Sequence, residues 1–247
     1  MDKIDITVAL PTWESKNIIW LQLESLCRQE TQYTWELIVC EEQTPNMTGE
    51  DFLFSYKERL NKAGCVNVIY LALEEWIPLS QKWVTIAHYS KGDSFILAAS
   101  DNYSSPDRLE ISHQKILEGY NWFDVKEGLF YNVNTRDTGT YKLPTSYVSK
   151  TGLFMCTKTE YIKKLRGPWP KSGIDNWIRN QVTIEPRFQL KGNLKGLHTD
   201  GVNKISHDRK QYYSNSKNSF ILPFYPPEQN LEEILPKDLI LKLKKIK

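Results

Sequence analysis

Several short stretches of this sequence place reactive side chains at the ends of apolar runs. IDITVALPT ends in Pro11 and Thr12, WELIVCEEQ ends in Glu41 and Glu42, and SFILAAS runs into Ser100, Asp101 and Asn102. Acids at the ends of buried runs suit a divalent cation held by one or two carboxylates and by the phosphates of its ligand. The competing role for Asp101 is a helix cap, since Asp and Asn are favoured there. Other chemistries lack their signatures. The first run continues into LPTWES without a glycine, which argues against a dinucleotide-binding turn and against a P-loop. No Gly-x-Ser-x-Gly elbow and no His-x-x-x-His pair occurs.

The elements that must position these residues follow from the apolar pattern. IDITVALPT reads as a buried strand broken by Pro11, with Thr12 or Ser15 capping a helix whose apolar positions are Ile18, Leu21, Leu23 and Leu26. WELIVCEEQ is a second strand. A helix over 50–62 stops at Gly64, and VNVIYLAL is the third strand. LSQKWVTIAHYSKGD, which contains Lys82, reads as a helix ended by Gly92. SFILAAS is the fourth strand, and Ser104 or Ser105 caps a helix with Pro106 in its first turn.

Four such alternations within 120 residues predict an α/β fold with a mostly parallel central sheet flanked by helices. Ligands bind such sheets at the carboxyl ends of the strands, where Thr12, Glu41, Glu42 and Asp101 fall. Beyond residue 125, GLFYNVN, TGTYKLP and TGLFMCT predict a small antiparallel subsheet, followed by helices near 158–165 and 173–181. RKQYYSNSKNS reads as a mobile loop, LPFYPPEQN as an extended linker, and the Lys-rich C-terminus as a short helix.

The chain of 247 residues is long enough for one large domain with an appendage. Its net charge of +2 provides no global field for nucleic acid or an anionic membrane. The four cysteines show no metal-ligand spacing and read as reduced thiols. No run reaches the ~18 apolar residues of a membrane span, and the N-terminal run is too short for a signal peptide. The expected location is therefore cytoplasmic.

Taken in order, these motifs resemble the GT-A glycosyltransferases, and most closely the inverting family 2 enzymes. VALPTWES resembles their first strand end, LIVCEEQT their second, and PLSQKWVTIAHYSKGD their next helix with its basic residue. ASDNYSSPDRL is similar to their metal motif, with Ala99 at its first acid, Asp101 at its second and Asn102 at its third. SGIDNWI resembles the motif of the general base, with Ile174 in place of its Glu, and LHTDGVNKIS resembles a downstream His-Asn-Ser group.

The resemblance covers residues 4–207, as a nucleotide-sugar half over 1–120 and an acceptor half over 121–207, and leaves 208–247 as a loop and short helix. It implies donor contacts from Pro11, Thr12, Glu41, Lys82, Ser100 and Asp101, with Glu41 reading the nucleobase. It implies Mn²⁺ or Mg²⁺ on Asp101 and His198, with His207 as the substitute ligand, and Asp175 as catalytic base. Trp169 and Trp177 flank Asp175 as an acceptor platform or as core.

The implied activity is metal-dependent, inverting transfer of a sugar from a nucleotide-sugar to an acceptor hydroxyl. The acceptor would be a glycan, a lipid-linked sugar or, because KISHDRKQYYSNSK interleaves basic residues with tyrosines, a modified base in DNA. The alternatives are a binding protein that has lost catalysis, motivated by Ala99, and a nucleotidyltransferase.

Overall fold

Apolar runs and helices alternate in the computed structural model as their pattern predicts. It describes residues 3–125, 127–134, 136, 138–142, 153–170, 174–181, 186–190, 197–200, 224–225 and 231–246. The first half runs β1 (Ile6–Thr12), α1 (Ile19–Leu26), β2 (Trp35–Glu42), α2 (Glu50–Phe54), α3 (Lys57–Lys62), β3 (Cys65–Leu73), α4 (Leu79–Tyr89), β4 (Ser94–Leu97), β5 (Asn102–Tyr103) and α5 (Arg108–Leu117). It continues with β6 (Trp122–Val125), β7 (Glu127–Asn132), β8 (Thr138–Lys142), β9 (Leu153–Lys158), α6 (Thr159–Lys163) and α7 (Ile174–Gln181). The last described elements are β10 (Arg187–Leu190), β11 (Leu197–Asp200), β12 (Phe224–Tyr225), α8 (Leu231–Ile234) and α9 (Lys237–Leu243).

The main sheet has seven strands in the order β10-β6-β9-β4-β1-β2-β3. Neighbours pair in parallel except at β9, which is antiparallel to both β4 and β6. A second sheet of five strands, β12-β8-β7-β11-β5, is antiparallel except for the β7–β11 pair. It is larger than the subsheet expected from three short runs. Strands β6 and β10 had no clear signal, because WFDV and RFQL are short and carry Asp124 and Arg187. These two side chains satisfy each other across the pair at 2.5 Å.

Pro11 does not break β1, which continues through it to Thr12. Ala9 accepts a bond from Ala98 N–H (2.9 Å), so Ala9 and, two residues on, Pro11 face β4. Pairing with β4 stops at Ala9 opposite Leu97. Pro11, which has no N–H, therefore sits where no strand asks for one.

Gly92 does not end α4 itself, which stops at Tyr89. A Cβ on Gly92 would lie 2.4 Å from the backbone of Ile6 and of Thr7. Only glycine allows β1 to approach there. Gly64, at φ +89, does stop α3 as expected.

Other local readings change. The helix expected over 50–62 is broken at Ser55 and Tyr56 into α2 and α3. Neither α1 nor α5 has a side-chain cap, so Thr12, Ser15, Ser104 and Ser105 do other work. The C-terminal helix is two helices, with Pro236 opening the second. Three apolar clusters result. One lies between the main sheet and α1, α3 and α5, and one under α4, α6 and α7. The third joins α1 and the second sheet to α8 and α9.

Candidate active site

The chain leaves the main sheet at Leu97, turns through 98–101, and enters the second sheet at Asn102. Asp101 stands at the junction of the two sheets. Thr199 fastens it there, donating its N–H (3.1 Å) and its hydroxyl (2.8 Å) to Asp101 O. The same pairing sets residue 198 opposite Asn102. Thus His198, far away in sequence, lies on the strand paired with β5, which Asp101 immediately precedes; the side chain of His198 is outside the described residues, as are His207 and the whole of KISHDRKQYYSNSK.

Helix α1 supports the turn from behind. The buried Gln22 amide, oriented to satisfy both of its ends, donates to Ala99 O (3.2 Å) and Asn102 O (3.0 Å). Ser25 Oγ accepts from Ser104 N–H (2.9 Å), and Gln29 donates to Ser105 O (2.9 Å) while accepting from Leu109 N–H (3.1 Å). Ser100 donates its hydroxyl to Ser15 Oγ (2.9 Å), joining the ends of β4 and β1. Arg108 reaches back to Leu97 O (3.1 Å), where burial pushes its guanidinium down to about 10.

A cavity of about 320 Å³ opens at these strand ends. Pro11, Thr12, Lys82, Ser100 and Asp101 all line it, so five of the six expected donor contacts converge. Trp13, Trp76, Trp83 and Ile174 form its apolar walls. Lys82 is buried and donates to Thr12 O (2.7 Å) and to the Glu42 carboxylate. Glu42 also accepts from Ile77 N–H (3.3 Å), fixing the loop between β3 and α4. Thr12 Oγ1 and Trp83 Nε1 are buried without a hydrogen-bond partner among the described residues.

Glu41, the sixth expected contact, does not line the cavity. Successive side chains of a strand alternate in direction, so Glu41 and Glu42 diverge. Both Glu41 oxygens lie 2.9 Å from Thr48 N–H, and Glu41 also accepts from Gly49 N–H (3.3 Å) and from the Tyr70 hydroxyl (3.0 Å). Burial, and then the Glu41 charge, raise the Tyr70 hydroxyl above its usual range, which keeps it a donor. Glu41 is 0% exposed and its oxygens face these donors of the chain itself. It organises the loop over 43–49.

Trp169 and Trp177 pack edge to face at 5.6 Å and join the apolar cluster of Trp83, Ile162, Leu165 and Ile178. Neither lines the cavity. Asp175 follows the lining residue Ile174 at the start of α7; its side chain is outside the described residues. Sequence reasoning missed Glu42 as the partner of Lys82, and Trp13, Trp76 and Trp83 as walls. The only available signal was that three tryptophans border the predicted strand and helix ends.

Among the described residues, no group of three or more His, Cys, Asp or Glu side chains could hold a metal. The Asp101 carboxylate at the cavity, with the Thr12 hydroxyl in the same wall and without a partner among the described residues, still fits a hard cation that takes its other ligands from phosphate oxygens.

The architecture is that of the GT-A glycosyltransferases. No family model matches the sequence, and no curated protein matches it either. Solved structures do match. TarS residues 1–349 from S. aureus in complex with UDP-GlcNAc align at a TM-score of 0.63 and 17% identity, over 81% of this chain and 60% of that one. The mannosyltransferase PcManGT from Pyrobaculum calidifontis, in complex with GDP-Man and Mn²⁺, aligns at 0.55 and 12%, over 83% and 59%. A longer TarS structure aligns at 0.55 and 18%, over 72% of this chain and 33% of that one. The chain thus spans between 33% and 60% of the length of these TarS structures. At such identities the likeness defines the fold, GT-A, and no more.

Proposed function

We propose that this chain is a glycosyltransferase that moves a sugar from a nucleotide-sugar to an acceptor hydroxyl, with a divalent metal and inversion at the anomeric carbon. The observation that carries the reading is the convergence of Asp101, Lys82, Thr12 and Ser100 on one cavity at the carboxyl ends of β1 and β4. Support comes from fold neighbours that hold UDP-GlcNAc in one case and GDP-Man with Mn²⁺ in another.

Asp101, with His198 from the neighbouring strand, would hold Mn²⁺ or Mg²⁺, which when bound supplies charge neutralisation for a leaving diphosphate. Lys82, fixed by Glu42 and by Thr12 O, adds a buried cation in the same wall. The apolar walls exclude water that would otherwise hydrolyse the donor. Asp175, placed by α7 next to a cavity residue, takes the proton of the acceptor hydroxyl as it attacks from the face opposite the leaving group. Trp169 and Trp177 support that helix from within the apolar cluster. The acceptor classes are a glycan, a lipid-linked sugar or a modified base in DNA.

The test is turnover of a panel of nucleotide-sugars with Mn²⁺, in wild type and Asp101→Asn. The expected outcome is Mn²⁺-dependent release of a nucleoside diphosphate by the wild type, and loss of roughly 10²-fold or more in the variant with an unchanged melting temperature. Equal rates at low Mn²⁺ would remove Asp101 from the site. Binding without any turnover across the panel would favour a GT-A binding protein.

A further inference from the structure

We infer that Trp76 is the nucleobase platform of the cavity, and that the site accepts several nucleobases because it reads a ring face rather than a hydrogen-bonding edge. The inference rests on the nucleotide-sugar reading above.

A carboxylate that reads a base must accept one of the base's N–H groups. Both strand-end acids are already engaged by the chain itself. Glu41 is 0% exposed, and takes the Thr48 and Gly49 N–H groups and the Tyr70 hydroxyl. Glu42 takes the Lys82 ammonium and Ile77 N–H. Trp76 is 50% exposed and lines the cavity. Leaving half an indole in water forfeits apolar burial that a core tryptophan would gain. Its neighbour Ile77 is tied to Glu42, so the ring is offered from an anchored loop.

Placement points the same way. Asp101 follows β4 and Trp76 follows β3, and the sheet order between them is β4-β1-β2-β3. Three strand spacings separate these ends, about 14 Å. That interval suits an extended nucleoside diphosphate with its phosphates at Asp101 and its base at Trp76. Trp13, at the end of β1, is only one strand from β4 and falls beside the ribose and phosphates. Stacking tolerates any base, because every base has a π-face.

Calorimetric titration of UDP, GDP and ADP, each with Mn²⁺, into wild type, Trp76→Ala, Trp76→Phe and Glu41→Gln tests this. The wild type should bind all three within about tenfold of one another. Trp76→Ala should weaken each by about 5- to 150-fold, and Trp76→Phe should retain most of the affinity. An unchanged melting temperature would show that the half-exposed ring is not needed for folding. Undiminished binding by Trp76→Ala overturns the inference and leaves the enzyme reading standing. So does a wild-type preference of more than about 100-fold for one base that Glu41→Gln erases. Failure of the wild type to bind any of the three sinks the nucleotide-sugar reading, and this inference with it.

Discussion

A carboxylate taken out of water needs donors from the chain in place of the solvent. Four acids here show how differently that is done. Glu36 is held by Thr7, Lys91 N–H and Asn67, Glu41 by the loop over 43–49, Glu42 by Lys82, and Asp124 by Arg187, Gln189 and Trp122. Sequence marked two of them, Glu41 and Glu42, as strand-end acids but could not name their donors, which come from the adjoining loop and Tyr70 for Glu41 and from residues 35 and 40 positions on for Glu42. Glu24 permits a test at this scale. Hydrogen bonding to Arg59, aided by Arg28 and opposed by burial, holds its carboxyl down at about 2. The folded value lies below the ordinary 4.5, so the stabilisation is complete above about 4.5 and is lost as pH falls through about 2. Glu24→Gln should cost about 2 kcal/mol at neutral pH, a gap that closes across that acid window. Urea midpoints along a pH series read it directly. A gap that stays constant down to the lowest pH would assign the loss to packing instead of charge.

Elements were legible where one face of a pattern decided them. The parallel strands β1, β2 and β4 are buried on both sides and read as unbroken apolar runs, as does the partly exposed edge strand β3, so these strands and the helices between them follow from the sequence. The second sheet was partly legible, through β7 and β8, whereas β9, read from sequence as part of it, joins the main sheet between β4 and β6. What stayed hidden was the polar side of α1. Gln22, Ser25 and Gln29 look like a solvated face, yet Gln22 and Ser25 are 0% exposed and Gln29 only 4%. Gln22 and Ser25, three residues apart, share one side of α1, and Gln29 follows its end; all three bond the segment that carries Asp101. Apolar periodicity cannot reveal such a clasp, since its buried groups are amides and hydroxyls. Gln22→Ala removes two bonds to the turn, at Ala99 O and Asn102 O. A stability loss of about 1–3 kcal/mol is expected. Nucleotide-sugar turnover should fall further than stability, because Asp101 loses the support of its turn. Wild-type kcat in a variant with a lowered melting temperature would show that the clasp serves the fold alone.

At the scale of the molecule, the least legible feature is what the last described helices do. By sequence, 208–247 is a loop and short helix appended to the sugar-transferring part. In the structure, Ile234, Leu235, Leu239, Ile240 and Leu243 are buried in the third apolar cluster, against Ile18, Trp20, Leu21 and Tyr131. Arg136 donates to Leu243 O (3.4 Å) and Ile246 O (3.1 Å), satisfying carbonyls at the end of α9. Lys242 lies 4.1 Å from the Trp20 ring centroid. The same α1 that packs on α8 and α9 with one side clasps the Asp101 turn with another, so the tail braces the site at one remove. Deleting residues 231–247 would expose the apolar faces of α1 and the second sheet. Burying a single Leu or Ile is worth about 1.5–3 kcal/mol, so five such residues are comparable to the whole usual stability of a domain, and losing even part of that leaves little margin. The deletion should therefore yield insoluble or molten protein, seen as lost near-ultraviolet dichroism and gained dye binding. Leu239→Ala, a milder cut, should cost about 2–4 kcal/mol while leaving a foldable chain. A deletion that stays soluble, cooperative in melting and as active as the full chain would show that α8 and α9 only rest on the surface they cover.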